Sequence, residues 1–404
     1  MNLFFFVYHE IEFHNYFPTA MELKKKNKDK NIFFIFTNKK NYESIIETKY
    51  LHSKLKKKFN ILVLRSSGNK ILQKFITLQN YIHFFLKFIF LKKPILFFPK
   101  FSMLGLKVPA LFCRLLGGKI AYLSPDRFCH SVSLMPKKQF EDAIFISKKN
   151  FQFFNFFVFF NKDNFNYEFI KKKLKIKKNK ILHIGLPILF ESWKNFINKQ
   201  AINITKSLKK KYSSFTSIYT IIGDKNYNDN NNLFNTKSSK VNDYQYKSLK
   251  EIINSLKKID PKCIVFFKKH PRQPLPEYLK KVLREKKFNR IILTSINVDI
   301  LALISKRFFF TFPSGTLTHI NSVNKIDLTN YNFFLKKNLL NRKQSKSIAD
   351  GFKTIHVNNN NKKFLEELLM NERNFNKKNA SIKELKNIES NISKIDLLIE
   401  KIIK

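Results

Sequence analysis

Cysteine is scarce and scattered. The chain has three, Cys113, Cys129 and Cys263, in 404 residues, without the close spacing of a metal site or a disulfide framework. That argues against a stapled secreted scaffold and predicts a reducing cytoplasm. Long apolar runs are missing as well. Tyr81 to Phe90 is interrupted by Lys87, and Phe151 to Phe160 by Gln152 and Asn155, so neither reaches the roughly 18–20 residues of a spanning helix. The first apolar run, Leu3 to Tyr8, has no basic segment before it and stops at His9-Glu10, too soon for a secretion signal. It reads as a buried strand.

Carboxylates are in short supply: 29 Asp and Glu face 77 Lys and Arg, a net charge of +48 with a pI near 10.1. Such a balance ordinarily suggests nucleic acid or an anionic membrane surface as partner. Here lysine is abundant together with Asn, Ile and Phe, residues that A/T-rich codons specify, so much of it reads as a solvated face. No helix-turn-helix, zinc-finger or RNP-type motif accompanies the charge, and the lysines lie in both halves. A nucleic-acid-binding protein is therefore the competing expectation, and no nucleic-acid partner is expected. A salt-dependent gel shift in competition with nucleotide sugar separates the two.

What is present is ample core: 44% of the residues are apolar, and the length suits two or three domains. Apolar runs at Leu3–Tyr8, Asn31–Thr37, Ile61–Leu64, Pro94–Phe98 and Lys119–Leu123 alternate with helical spacing, the pattern of a mostly parallel, helix-covered sheet. Val108 to Leu116 reads as a helix closed by Gly117-Gly118. The run Ile181 to Pro187 ends the first half, with the junction expected near Ile188 to Lys199. A second series opens at Ser217–Ile222, ending in Gly223, and continues with a helix over Tyr244–Ile259, strands at Cys263–Phe267 and Ile291–Thr294, and a helix over Val298–Ile304. The expected domains are 1–187, 188–380 and a terminal amphipathic helix, 381–404, whose narrow apolar seam runs from Leu385 to Ile402.

Two loops carry chemistry suited to phosphate. Cys263–Phe267 is followed by Lys268-Lys269-His270-Pro271-Arg272, where proline ends the strand. Arg307–Phe312 is followed by Pro313-Ser314-Gly315-Thr316 and a stretch of helical spacing from Leu317 to Asn324. A helix amino terminus with free N–H groups attracts anions, and ligands in open α/β sheets bind outside the carboxyl ends of strands. Imidazole, hydroxyls and cations from both loops are expected to converge on one phosphate group.

The pair Cys263–Arg272 and Arg307–Thr318 resembles the His-Pro and Ser-Ser/Thr motifs of bacterial sialyltransferases, especially those that modify lipooligosaccharide, and more loosely those of capsular polysaccharide transferases. The resemblance is strongest from Ser217 to Leu328. It implies an α/β fold of two Rossmann-like domains facing across a cleft (GT-B), with a C-terminal helix following. It also implies a nucleotide site at His270, Pro271, Ser314 and Thr316, to which Lys268, Arg272 and Gly315 of the same loops and Gly223 at the end of its strand are added. Gly315 stands where the family has consecutive hydroxyls. The family's general base is an acid after a strand of the first domain; Asp126, in Ser124-Pro125-Asp126-Arg127, takes that place, with Glu10 and Glu12 as rivals.

With no Asp-x-Asp motif to hold a metal, cations and a helix terminus would neutralise the departing phosphate. The implied reaction is a metal-independent, inverting transfer: Asp126 or Glu10 takes the acceptor proton, and His270, Ser314 and Thr316 hold the leaving nucleotide. The expected donor is a nucleotide sugar, CMP-linked, with no separate cofactor. The expected acceptor is a cell-surface glycolipid or polysaccharide, and a polymer glycerophosphotransferase is the alternative. The expected location is the cytoplasm, with an anionic membrane surface as a further partner; oligomeric state is left open.

Overall fold

The computed structural model describes residues 2–8, 10–37, 39–46, 49–65, 69–91, 93–100, 106–124, 150–160, 175–223, 238–268, 275, 277–284, 290–311, 324–327, 354–356, 366, 369–370 and 395–403. The chain divides into two compact units, Met1–Phe196 with Lys386–Lys404, and Ile197–Leu385.

The first unit holds a seven-stranded sheet of β1 (Asn2–Val7), β2 (Asn31–Phe36), β3 (Asn60–Val63), β4 (Ile95–Phe98), β5 (Lys119–Leu123), β6 (Phe156–Phe159) and β7 (Ile181–His183). The order is β3-β2-β1-β4-β5-β6-β7 and every pairing is parallel. Its helices are α1 (Glu10–Lys26), α2 (Lys39–Ile46), α3 (Lys49–Lys58), α4 (Lys70–Phe90) and α5 (Lys107–Leu115). Both faces of a parallel sheet must be covered, so its strands read as continuous apolar runs; β1 is buried at all six positions.

Phenylalanine fills this core by stacking across strands. Phe5 and Phe97, paired in register on β1 and β4, have ring centroids 4.7 Å apart, and Phe6 stacks on Phe98 at 4.3 Å. On one face Phe4, Phe6, Leu96 and Phe98 meet Phe84 and Phe88 of α4 and Ala110 and Cys113 of α5. On the other, Phe5 and Phe34 meet Tyr16 and Phe13 of α1. Aromatic pairs in such offset contact each add roughly 0.5–1.5 kcal/mol beyond area burial.

The second unit repeats the design with β8 (Ile218–Ile222), β9 (Ile264–Lys268), β10 (Ile291–Thr294), β11 (Arg307–Phe310), β12 (Asn324–Asp327) and β13 (Thr354–His356), ordered β10-β9-β8-β11-β12-β13 and again parallel. Its helices are α6 (Glu191–Lys211), which begins in the first unit, α7 (Ser238–Ile259), α8 (Glu277–Arg284) and α9 (Val298–Ile304). Tyr219, Ile221, Val265, Phe267 and Phe309 face α7 and α8; Ile218, Ile222, Ile264, Phe266, Phe308 and Phe310 face α6 and α9. Alternation along each strand thus supplies two cores from one sheet. Near the carboxyl terminus α10 (Ile395–Leu398) runs into a π turn, Ile399–Ile403, and Ile395, Leu398 and Ile402 are buried within the first unit.

The strand order in both sheets is the doubly wound, Rossmann-like one, in accord with the expected α/β class. Several details differ from the sequence expectation. Helix α1 starts at Glu10, so the Glu10–His14 stretch forms its first turn. The Phe151–Phe160 run supplies strand β6. The stretch from Glu191 to Lys211 is one continuous helix, because Trp193, Phe196, Ile197, Ala201 and Leu208 fall on one buried face. Asn324 opens β12 and does not close a helix.

Candidate functional site

Each sheet reverses direction once. The chain lays down its second and third strands to one side of the first, then returns to place the fourth on the other side. Such a reversal opens a crevice at the carboxyl ends of the first and fourth strands, where open α/β sheets bind ligands. In the second unit those strands are β8 and β11.

Strand β9 lies on the far side of β8 from β11. The two phosphate-friendly loops therefore leave strands that are two spacings apart, roughly 10 Å, and do not spring from adjacent strands. Beyond Lys268, the loop residues expected to converge on a phosphate lie outside the described residues. Gly223 is the residue at the carboxyl end of β8. Its N–H donates to the Lys268 carbonyl at 2.8 Å, prolonging the β8–β9 ladder. A Cβ placed on it would come within 2.6 Å of the Phe267 ring and 3.0 Å of the Lys268 carbonyl oxygen. Glycine here meets a close approach from the neighbouring strand, and it is buried at the strand end.

At this edge the strand exits are fixed by hydrogen bonds. Lys268 Nζ donates to the Ser295 carbonyl at 3.3 Å, leaning toward the exit of β10. Thr294 Oγ1 accepts from the Ile296 N–H at 3.0 Å, and Asn297 Oδ1 accepts from the Asp299 N–H at 2.7 Å, capping α9. At the exit of β11, Gln245 of α7 is fully buried; its Nε2 donates to the Thr311 carbonyl at 3.1 Å and its Oε1 accepts from the Thr311 hydroxyl. Two hydrogen bonds, one to the backbone and one to the side chain, thus hold Thr311, three residues before Ser314. The pairing of Gln245 with Thr311 had no signal in the sequence beyond a glutamine on the apolar side of a helix.

Of the residues singled out by sequence, Gly223 and Lys268 stand at this edge. His270, Pro271, Arg272, Ser314, Gly315 and Thr316 lie outside the described residues, as does Asp126. The strand ends that precede them, Lys268 and Thr311, flank Gly223 on opposite sides.

The first unit has its own reversal, between β1 and β4. Glu12 is buried in the first turn of α1, and its Oε2 accepts the Tyr8 N–H at 2.6 Å. That carboxylate is engaged in closing the turn between β1 and α1, in the manner of a helix N3 acid reaching back. The Tyr8 phenol is pushed well up by burial and, secondarily, by the charge of Glu12, so it stays protonated. Lys100, just past β4, places its ammonium 5.8 Å from the Tyr8 ring centroid. Tyr8 and Lys100 were not anticipated; an aromatic and a lysine each just beyond an apolar strand are the only sequence signal. Glu10 opens α1 at this edge. Tyr16 of α1 donates its hydroxyl to the Leu123 carbonyl at 2.6 Å, and Ser124 follows, fully buried, with its N–H on the Val158 carbonyl at 2.9 Å. The segment leading to Asp126 therefore departs from a pinned strand end. Among the described residues no three His, Cys, Asp or Glu side chains gather into a set that could hold a metal ion.

No protein-family model matches the chain, and neither does any curated protein. Among solved structures it is similar to UDP-GlcNAc 2-epimerase from Neisseria meningitidis bound to UDP-GlcNAc, at 11% identity over 99% of both chains with a TM-score of 0.61. The wall teichoic acid polymerase TagF matches at 12% identity over 100% of this chain and 89% of that one, with a TM-score of 0.53. HepE of Anabaena, in complex with UDP and glucose, matches at 9% identity over 99% and 98%, with a TM-score of 0.51. At these identities the likeness is one of fold. The chain has a GT-B-like fold of two Rossmann-like units, and the likeness is not specific to sialyltransferases.

Proposed function

We propose that the protein is a group-transfer enzyme that seats a nucleotide-activated donor at the carboxyl edge of the second sheet and passes the activated group to a cell-surface polysaccharide or glycolipid. The observation that carries this reading is the strand reversal between β8 and β11, which sets Gly223 between the exits that lead to His270 and to Ser314-Gly315-Thr316. A phosphate-bearing ligand at these strand ends would meet the cationic and hydroxyl groups that follow in sequence on either side. The solved proteins of similar fold include two holding UDP-GlcNAc or UDP, and a teichoic acid polymerase.

The acceptor hydroxyl gives its proton to Asp126 or Glu10, its oxygen bonds to the donor carbon or phosphorus, and the nucleotide leaves with the bonding electron pair. His270, Ser314 and Thr316 receive the charge that develops on the leaving phosphate. The polymer glycerophosphotransferase version of this chemistry draws support from the likeness to the teichoic acid polymerase. Sialyl transfer from a CMP-linked donor rests on the His270-Pro271 and Ser314-Gly315-Thr316 residues.

Melting the protein with CMP, CDP, UDP, GDP and their sugar or glycerol conjugates tests the reading. A nucleotide at about a hundred times its Kd stabilises by about 2.7 kcal/mol, and His270→Ala is expected to weaken that effect on the order of tenfold in affinity. If no nucleotide raises the melting temperature and no conjugate is turned over, the reading fails. Distinct responses to CDP-glycerol and to CMP-sialic acid choose between its two versions.

A further inference from the structure

Helix α4 is apolar on two opposite sides. One packs on the sheet through Phe84 and Phe88, both buried. The other carries Ile71, Phe75, Leu78, Ile82, Leu86 and Ile89, spaced in steps of three and four, so that they form one stripe along the helix. All six are exposed, Phe75 by 64%, and Phe90 at the helix end by 79%. Helix α5 lies beside α4, with the Phe85 and Phe112 rings 5.0 Å apart, and adds Leu111 and Leu115, the latter 82% exposed. Contiguous apolar surface of this kind on a soluble fold marks a place of contact.

The charge around the stripe identifies what it contacts. Between Glu47 and Asp126 the sequence contains no Asp or Glu and fifteen Lys and Arg. Lys74 of α4, Lys107 and Arg114 of α5 and Lys93 in the turn after α4 are exposed. We propose that the α4–α5 face seats the protein on a bilayer that contains anionic lipid, with the stripe entering the headgroup boundary and the cations meeting lipid phosphates. A second copy of the chain is the poorer occupant, since it would bring the same cations together with no carboxylate on this stretch to pair them. The helix lies on the membrane and does not cross it: Lys70, Lys74 and Lys87 interrupt it, and among the described residues no helix is long and apolar enough to span. This inference goes beyond the transfer reading and stands without it, because vesicle binding is read with no nucleotide present.

The test is sedimentation of the full chain with vesicles of phosphatidylcholine alone or mixed with phosphatidylglycerol. The protein is expected to sediment with the mixed vesicles, less so with the neutral ones, and less again as salt rises. Phe75→Ser, Leu78→Ser and Ile82→Ser together, all at exposed positions, are expected to lower the partition on the order of tenfold or more. Lys74→Glu with Arg114→Glu is expected to remove the preference for anionic vesicles and provides the test should the triple variant fold poorly. Wild-type protein left in the supernatant with mixed vesicles, equal binding to both vesicle types, or undiminished binding by both variants would overturn the proposal. So would a wild-type dimer that the triple variant dissociates. Vesicle binding without any nucleotide-induced melting shift would leave the docking surface standing and remove the transfer reading alone.

Discussion

At the residue scale, Gly223 matters for the side chain it lacks. Gly223→Ala would push a methyl group to 2.6 Å from the Phe267 ring, and overpacking of this kind costs about 1–3 kcal/mol. The expected outcome is a lower unfolding midpoint together with weaker nucleotide binding. Phe267→Leu, combined with Gly223→Ala, should recover part of the stability, since the two side chains contend for one space; a double variant no more stable than the sum of the singles would show that Phe267 is not the obstacle. Part of this was legible in the sequence. A glycine after the run Ser217–Ile222 marks the end of a strand, and that is the ground on which Gly223 joins the expected nucleotide site. The reason only glycine fits was not legible, because the ring it meets belongs to a strand more than forty residues on. Gln245 was invisible for the same reason, as its partner Thr311 is distant in sequence and close only in space.

At the element scale, the turn from α5 to β5 shows how far local chemistry reaches. The Gly117-Gly118 pair after an apolar-periodic run predicts a helix stop, and the structure closes α5 with the Gly117 N–H on the Arg114 carbonyl at 3.0 Å and the Gly118 N–H on the Cys113 carbonyl at 2.8 Å. These are the two bonds of a Schellman motif. Gly117 takes φ +71° with open space around it, whereas a Cβ on Gly118 would come within 2.5 Å of both Cys113 Sγ and the Pro94 carbonyl oxygen. Gly117→Ala should therefore cost about 1 kcal/mol for the left-handed conformation, and Gly118→Ala distinctly more, measured by chemical denaturation; the reverse order would contradict this account of the turn. Helix stops and buried strands were readable because a few adjacent residues decide them. Strand β6 and helix α6 were not. Phe151 to Phe160 and Ile188 to Lys199 have ambiguous local patterns, and each takes its form from the surface it packs on: β6 beside β5, and Trp193 of α6 against Phe17 of α1.

At the scale of the whole molecule, burial leaves a trace in pH dependence. The thiols of Cys113 and Cys263 are each pushed up to about 12, in both cases chiefly by burial, with Asp260 adding to Cys263. Unfolded thiols titrate near 8.5, so above that pH the unfolded chain releases protons that the native one retains. The stability from these groups is full below about pH 8.5 and is lost as pH rises toward 12, by up to about 1.4 kcal/mol per pH unit for each thiol. The melting temperature is expected to fall between pH 8 and 10, and Cys113→Ala with Cys263→Ala to flatten that fall. An unchanged slope in the double variant would assign it to other groups. By itself the sequence determined the α/β class, most of the strands and the absence of an Asp-x-Asp motif, because apolar period, turn residues and motif residues are local properties of the chain. Only the tertiary structure decided the order of the strands. That order sets β8 between β9 and β11 and places Gly223 between two strand exits, while packing leaves one side of α4 in solvent; each depends on which surfaces meet, and no stretch of sequence carries that information alone.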